Sequence, residues 1–240
     1  MSAPIMLLHP LGADRHFWDP VCHQLGSRPV EALDLPGHGS APASAPGSGI
    51  AEYSAGVVER IERLGRPVHL VGLSLGGLVA QQLAATRPEL LASTVLMGTV
   101  AAYPEPMRQM WRERAATARA GGLDTLIEPM VAMWFTEEFA DSGDPRIAQA
   151  RKTFGGTEPE GYARACDLLA EVDLRDQASS MRPPVFSVCG EDDAPPFREA
   201  AEWLAKVTGG DTALWLPGRH ACALEHPEQF AALLTGLVAD

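Results

Sequence analysis

The stretch Val68-His69-Leu70-Val71-Gly72-Leu73-Ser74-Leu75-Gly76-Gly77 decides how the rest of the chain is read. It begins as an apolar, partly β-branched run, the pattern of a buried strand. It turns at Ser74, which has Gly72 and Gly76 two residues away on either side, and continues as Leu78-Val79-Ala80-Gln81-Gln82-Leu83 with helical spacing. A serine on so tight a strand-to-helix turn sits in a strained backbone that pushes its hydroxyl out of the fold. The glycines are needed because a Cβ at either position would collide across the turn. The first turn of the following helix offers unpaired backbone N–H groups that can hold a developing oxyanion. The motif remains a hypothesis until the chain also supplies a base, an acid and a second N–H donor.

A chain of 240 residues with a formal net charge of −12 fits one large α/β domain, or one domain carrying an insertion. No stretch is long and apolar enough to span a bilayer. The N-terminus lacks the basic start and long apolar run of a secretory signal. The acidic balance argues against nucleic acid or an anionic membrane as partner. Cys22, Cys166, Cys189 and Cys222 are scattered without metal-like spacing and read as reduced, mostly buried thiols of a cytoplasmic protein. No cluster of histidine, cysteine and carboxylate has metal-ligand spacing and no glycine-rich phosphate loop is present, so neither a metal nor a cofactor is expected. Lysine occurs only at Lys152 and Lys206, so arginine carries nearly all the positive charge. That bears on any anionic ligand, because arginine binds a carboxylate bidentately.

Taken in order, residues 5–9 form a short apolar run stopped by Pro10, the pattern of a strand buried on both faces. Helical periodicity follows over 18–25, a second strand over 30–34, a Pro/Ser/Ala/Gly-rich loop over 41–49 and a helix over 50–64. After the serine turn, residues 91–97 read as the next strand. Strands alternating with helices mean a mostly parallel sheet flanked by helices, with ligands bound at the carboxyl ends of the strands. The rhythm breaks after Gly98: residues 102–181 show no strand, only helical segments. One carries Met107, Met110 and Trp111, the next Leu126, Ile127, Met130 and Trp134. A third is opened by Thr157-Glu158-Pro159-Glu160, which has capping-box spacing, and runs to about Ala170. We read 102–181 as a helical lid inserted into a sheet domain built from 1–101 and 182–240. The sheet resumes as a strand over 184–189, followed by a helix over 197–207, a strand over 213–216 and a last helix over 227–238.

Two further pieces complete the serine's requirements. Gly190-Glu191-Asp192-Asp193 and Gly218-Arg219-His220 each lie just after a strand, on the same sheet edge as Ser74. Serine, then acid, then histidine is the chain order of an α/β-hydrolase arrangement. A serine hydroxyl is a poor nucleophile unless a neutral imidazole takes its proton. The imidazole needs a carboxylate to fix its tautomer and stabilise the imidazolium. Leu75, following the nucleophile, and Leu11, in the first loop, are placed to supply the oxyanion N–H donors.

On these residues the chain resembles the α/β-hydrolase family from its first strand to its last helix. His9-Pro10-Leu11-Gly12 stands where the family has its oxyanion loop, and Asp34 to Ser40 reads as its DxPGHGxS turn. Within the family the chain looks most like 3-oxoadipate enol-lactonases. That similarity runs through His9 to Asp14 with Phe17-Trp18-Asp19-Pro20, Trp134-Phe135-Thr136, Pro159 to Ala163, Asp173 to Asp176 and Gly190 to Asp193. The resemblance implies Asp193 as the acid, with Asp192 as the fallback, and His220 as the base, followed by Glu225-x-Pro227. It also implies a cofactor-independent hydrolase of a small enol-lactone carrying a carboxylate, in aromatic-compound breakdown. Three features depart from the pattern. The first antiparallel hairpin common in the family is missing, Pro10 replaces the usual glycine, and Ala194-Pro195-Pro196-Phe197 follows Asp193 where lactonases have a Pro-x-Thr-Pro-like turn.

The expected reaction is attack of Ser74 on a small-molecule ester or lactone carbonyl, an acyl-enzyme, and resolution by water. A carboxylesterase or methylesterase, or a carbon–carbon bond hydrolase, would use the same triad. A non-catalytic, small-ligand-binding member of the fold is the alternative of another class. Trp134, Trp111, Met130 and Arg15 are the candidate substrate contacts, the first three also being natural lid core. Arg108, Arg112 and Arg219 are further candidates for a substrate carboxylate, which a chain at −12 would otherwise repel. His9 and His38 are expected to hydrogen-bond their own loops. Oligomeric state is not legible.

Overall fold

Because β-branched and leucine-rich runs have no polar face to show to water, they stack into a sheet covered on both sides. The computed structural model describes residues 2–182 and 184–238. Its strands are β1 (Ile5–Leu8), β2 (Val30–Leu33), β3 (Val68–Leu73), β4 (Leu91–Met97), β5 (Val185–Gly190) and β6 (Leu214–Leu216). They form one parallel sheet in the order β2-β1-β3-β4-β5-β6. Every residue of β1 and of β3 is buried, as sequences that are apolar throughout in β1 and apolar but for His69 in β3 require, whereas β2 at the edge is only half-buried. The chain adds β2 on one side of β1 and then crosses to place β3 on the other. The carboxyl ends of β1 and β3 therefore flank the topological switch point, where open α/β sheets bind ligands. Leu11 and Ser74 both lie there.

Between β4 and β5 the chain leaves the sheet for a helical segment tied at its neck. An isolated antiparallel bridge joins Ala102 to Asp173, and Leu174 N–H donates to Ala101 O at 2.8 Å. That bridge is the one extended pairing in a stretch expected to be wholly helical. The long helices Glu105–Gly121 and Pro159–Glu171 pack on each other through Trp111, Ala115, Ala118, Tyr162, Ala165 and Leu169. Their outer edges carry Arg119 with Glu160 and Asp167, half-exposed pairs worth at most about 1 kcal/mol each.

Two features of the lid differ from the sequence expectation. The helix Pro159–Glu171 is not opened by a Thr157 capping box. Its cap is Glu158, whose carboxylate accepts from Glu160 N–H at 3.0 Å and Gly161 N–H at 2.5 Å. Pro159 occupies the first helical position, so the preceding Glu158 is the last extended residue and the cap shifts by one. Thr157 Oγ1 instead donates back to Thr153 O at 3.1 Å. The second difference is the additional helices Glu137–Asp141 and Pro145–Gly155. Asp144 caps the second of these by accepting from Arg146 N–H at 2.9 Å. Among the described residues no helix is long and apolar enough to cross a membrane. The four cysteines are unpaired, and Cys166, Cys189 and Cys222 are buried.

Candidate active site

Ser74 has φ 55° and ψ −110°, and among the described residues it is the only non-glycine with positive φ. An L-residue pays for that conformation, so the surroundings must impose it. They do so from three sides. Ser74 N–H donates to Met97 O at 2.9 Å, Thr99 Oγ1 donates to Ser74 O at 3.0 Å, and Leu78 N–H donates to Ser74 O at 3.1 Å. A Cβ on Gly72 would run into the carbonyl of Gly76, and one on Gly76 into the carbonyl of Leu8. The helix Leu75–Thr86 starts immediately, so Leu75 N–H has no intrahelical acceptor. Leu11 N–H likewise has no acceptor among the described residues.

His220 and Asp193 come from the other half of the sheet. His220 Nδ1 and Asp193 Oδ2 are 2.9 Å apart, and both side chains are almost wholly buried. Asp193 Oδ1 accepts from Ala194 N–H at 2.7 Å, and Cys189 Sγ–H points at Oδ2 from 3.6 Å. A carboxylate can only accept, so the Nδ1 proton is donated to Asp193 and Nε2 carries the lone pair. Asp192 is exposed, so of the two adjacent carboxylates it is Asp193 that meets the imidazole. Phe197 stacks on the other side of the ring, centroid to centroid 4.3 Å. Gly98, with φ +47°, lies between this pair and the serine turn. A Cβ there would stand 3.1 Å from the Leu73 side chain and 3.4 Å from both Asp193 Oδ2 and His220 Cε1.

The loop before His220 is clamped to the lid. The buried Glu225 carboxylate accepts from Arg219 N–H at 3.0 Å, from Thr136 N–H at 3.2 Å and from Thr136 Oγ1–H at 2.8 Å. Ala221 N–H donates to Trp134 O at 2.9 Å, and Arg219 Nη1 donates to Ala132 O at 2.6 Å. Glu225 therefore joins the lid to the histidine loop, a role that its place in the sequence, two residues before Pro227, does not reveal.

His9 and His38 brace the loop that follows β1. His9 Nε2 accepts from Leu35 N–H at 2.9 Å while its Nδ1–H donates to Pro10 O at 2.8 Å. His38 Nε2 accepts from Gly12 N–H at 2.9 Å and its Nδ1–H donates to Pro36 O at 3.0 Å. Each ring must stay neutral to accept. Burial lowers His9 to about 3 and His38 to about 4, with the neighbouring His38 adding to the depression of His9. A histidine with a depressed folded pKa contributes stability that is full above its unfolded value of about 6.5 and is lost as pH falls toward the folded value. Between pH 6 and 5, where carboxylates barely titrate, these two rings should remove about 2 kcal/mol of unfolding free energy. Urea denaturation at the two pH values measures this, and identical midpoints would contradict it.

The candidate substrate contacts separate into groups. Trp111 is buried and stands edge-to-face on Tyr103, with ring centroids 5.5 Å apart. Trp134 lines a cavity of about 370 Å³ with Ala13, Phe17, Arg146, Ala150 and Leu224, beside the loop that follows β1. Neither Ser74, Asp193 nor His220 lines that cavity. Met130 is fully buried in the lid core. Arg15 is half-exposed, 3.7 Å from Asp34, and lies outside the cluster around Ser74. The other arginines are also engaged. Arg108 donates to the carbonyls of Tyr103, Ala170 and Val172, Arg112 pairs with Glu105 and Glu171, and Arg219 reaches Ala132 O and Asp192 O. Tyr103 was not singled out from the sequence. It is the first aromatic residue after β4, and that position at the sheet's carboxyl edge was the available signal.

Known proteins share this arrangement of sheet and lid. The enol-lactonase from Burkholderia xenovorans LB400 superposes with a TM-score of 0.94 at 26% identity, covering 100% of this chain and 92% of that one. A 3-oxoadipate enol-lactonase 2 from Acinetobacter baylyi is 27% identical over 202 residues, 84% of this chain and 75% of the relative. A pimeloyl-[acyl-carrier protein] methyl ester esterase from Neisseria meningitidis serogroup B is 30% identical over 243 residues, 98% of this chain and 92% of the relative. The alpha/beta hydrolase family profile matches residues 5–233, nearly the whole length, and the chain belongs to that family.

Proposed function

We propose that this protein is a cofactor-independent serine hydrolase of small esters or lactones. The observation that carries the reading is the buried His220–Asp193 pair, which faces the sheet edge where Ser74 is held at positive φ beside two unpaired N–H groups. Ser74 Oγ attacks the carbonyl carbon as its proton passes to His220 Nε2, and Asp193 stabilises the imidazolium. The N–H groups of Leu11 and Leu75 receive the oxyanion. The tetrahedral adduct collapses to an acyl-enzyme with loss of the alcohol, or with ring opening for a lactone. Water, deprotonated by the same imidazole, then releases the acid.

For the substrate, the relatives offer two chemistries, an enol-lactone and a methyl ester. The arginines favour an uncharged substrate. Arg15, Arg108, Arg112 and Arg219 are each committed to a carboxylate or to backbone carbonyls, and a chain at −12 repels anions over longer range. A neutral ester therefore suits the site better than a lactone bearing a free carboxylate. Short 4-nitrophenyl esters, compared with methyl esters with and without a free carboxylate, test both levels. Turnover of the neutral esters at least tenfold above that of the anionic ones is expected. Preference for the anionic substrate would overturn the substrate assignment, and absence of any hydrolysis would overturn the enzyme assignment.

A further inference from the structure

Tyr103 is a buried phenol, 3% exposed, whose hydroxyl has no hydrogen-bond partner of good geometry. Leaving a buried hydroxyl unpaired costs on the order of 1–3 kcal/mol, so such a group invites an explanation. Its surroundings fix it firmly. The ring is wedged edge-on between Trp111, at 5.5 Å, and Phe197, at 6.3 Å. Its carbonyl accepts from Arg108 Nε at 2.8 Å, and the neighbouring Ala101 and Ala102 are tied into the neck of the lid. The hydroxyl lies beside Ser74, within the electrostatic reach of Asp193. Phe197, which holds one face of Tyr103, also stacks on His220.

The sheet order says what this hydroxyl is for. β3, which delivers Ser74, has β1 on one side and β4 on the other. The oxyanion loop with Leu11 follows β1. Tyr103 follows β4, Asp193 follows β5 and His220 follows β6, all on the opposite side of the serine from the oxyanion loop. In acylation the carbonyl oxygen turns toward the N–H groups, whereas the departing oxygen must face the imidazolium that protonates it. A donor grouped with His220 and Phe197 is on the departing oxygen's side.

We propose that Tyr103 donates a hydrogen bond to the departing oxygen of the ester or lactone during collapse of the tetrahedral adduct. The inference rests on the serine-hydrolase reading above. The carbon–oxygen bond breaks with its electron pair moving to the departing oxygen, and His220 Nε2–H transfers its proton there. Tyr103 keeps its own proton and stabilises the charge that develops before that transfer completes. In the resting protein the one polar side chain against the hydroxyl is Ser74, with no hydrogen bond of good geometry, so the phenol's own proton is left for a group that arrives with the substrate. Its task selects a substrate class: esters of poorly acidic alcohols, whose departing oxygen carries most charge at the transition state, gain most from it.

Tyr103→Phe in the full chain tests this on acetate esters of graded leaving-group acidity, from 4-nitrophenyl through phenyl to an alkyl alcohol. The phenylalanine keeps the ring packing and removes a buried polar atom that makes no hydrogen bond of good geometry, so the melting temperature should stay equal or rise. We expect kcat/KM on the alkyl ester to fall at least tenfold more than on the nitrophenyl ester, steepening its dependence on leaving-group pKa. An equal loss on all esters, or no loss, would overturn the role, because a packing defect does not discriminate between leaving groups. The hydrolase reading fails separately. If the wild type hydrolyses none of the esters, or Ser74→Ala matches it, both ideas fall. If turnover depends on Ser74 and the leaving-group dependence is unmoved in Tyr103→Phe, only the tyrosine's role falls.

Discussion

Ser74→Ala should lose about four powers of ten or more in kcat on a 4-nitrophenyl ester while remaining folded. The size follows from the division of labour in the site. In the proposed mechanism no acyl-enzyme forms without the hydroxyl, and what survives is the background assistance of Leu11 and Leu75 N–H and of substrate binding. Stability should barely change, because Ser74 is held through its backbone. Its N–H is bonded to Met97 O, and its carbonyl accepts from Thr99 and Leu78. Alanine must adopt the same φ of 55° and keeps the strain. Ser74→Gly removes that strain and should be equally inactive yet more stable, by roughly 1 kcal/mol after glycine's larger folding entropy is counted. A thermal melt beside an esterase assay checks the pair. A Ser74→Ala protein retaining more than about a hundredth of wild-type turnover would remove the serine from the mechanism.

Glu225→Ala should be the most destabilising single change at the site. It leaves Thr136 N–H, Thr136 Oγ1–H and Arg219 N–H without their acceptor in a buried region. Losing a buried carboxylate from such a set costs about 3–5 kcal/mol. For a chain of this size that lowers the melting temperature by roughly 10 °C. Activity should fall as well, because Arg219 directly precedes His220 and the lid segment around Thr136 would no longer hold that loop. Glu225→Gln makes the contrast. Its amide oxygen can keep both N–H donors, and its NH₂ can donate to the Thr136 hydroxyl, so it should cost only about 1 kcal/mol. Equal losses for the two variants would show that charge, rather than hydrogen bonding, is what matters at Glu225.

Much of the architecture was legible because its signals are local. The apolar runs of β1 and β3, the second interrupted only by His69, announce strands covered on both faces, and the glycines around Ser74 announce a turn that no Cβ could survive. The parallel sheet follows from strands alternating with helices. Asp193 and Asp192 mark where local signals end. The two are identical in chemistry and adjacent in sequence, and only the turn after β5 buries one against His220 and exposes the other. Glu158 displaced Thr157 as a helix cap for a similarly close reason, the proline that follows it. The helix Glu137–Asp141 is too short for periodicity to stand out, and Pro145–Gly155 buries only Ile147, Ala150 and Phe154 among polar residues, although Asp144-Pro145 carries a readable start signal. Tyr103, Glu225 and Phe197 were beyond reach for a different reason. Their roles depend on which loops meet at one sheet edge, and that is settled by strand order and by the neck of the lid.

The central claim is that Ser74 is a nucleophile activated by His220, and covalent labelling tests it most directly. The protein would be treated with a fluorophosphonate, digested and mapped by mass spectrometry. A single phosphonyl adduct on Ser74 is predicted in the wild type, with its formation slowed at least a hundredfold in His220→Ala. Failure to label Ser74 in a folded protein, or labelling at an unchanged rate in His220→Ala, would contradict the account.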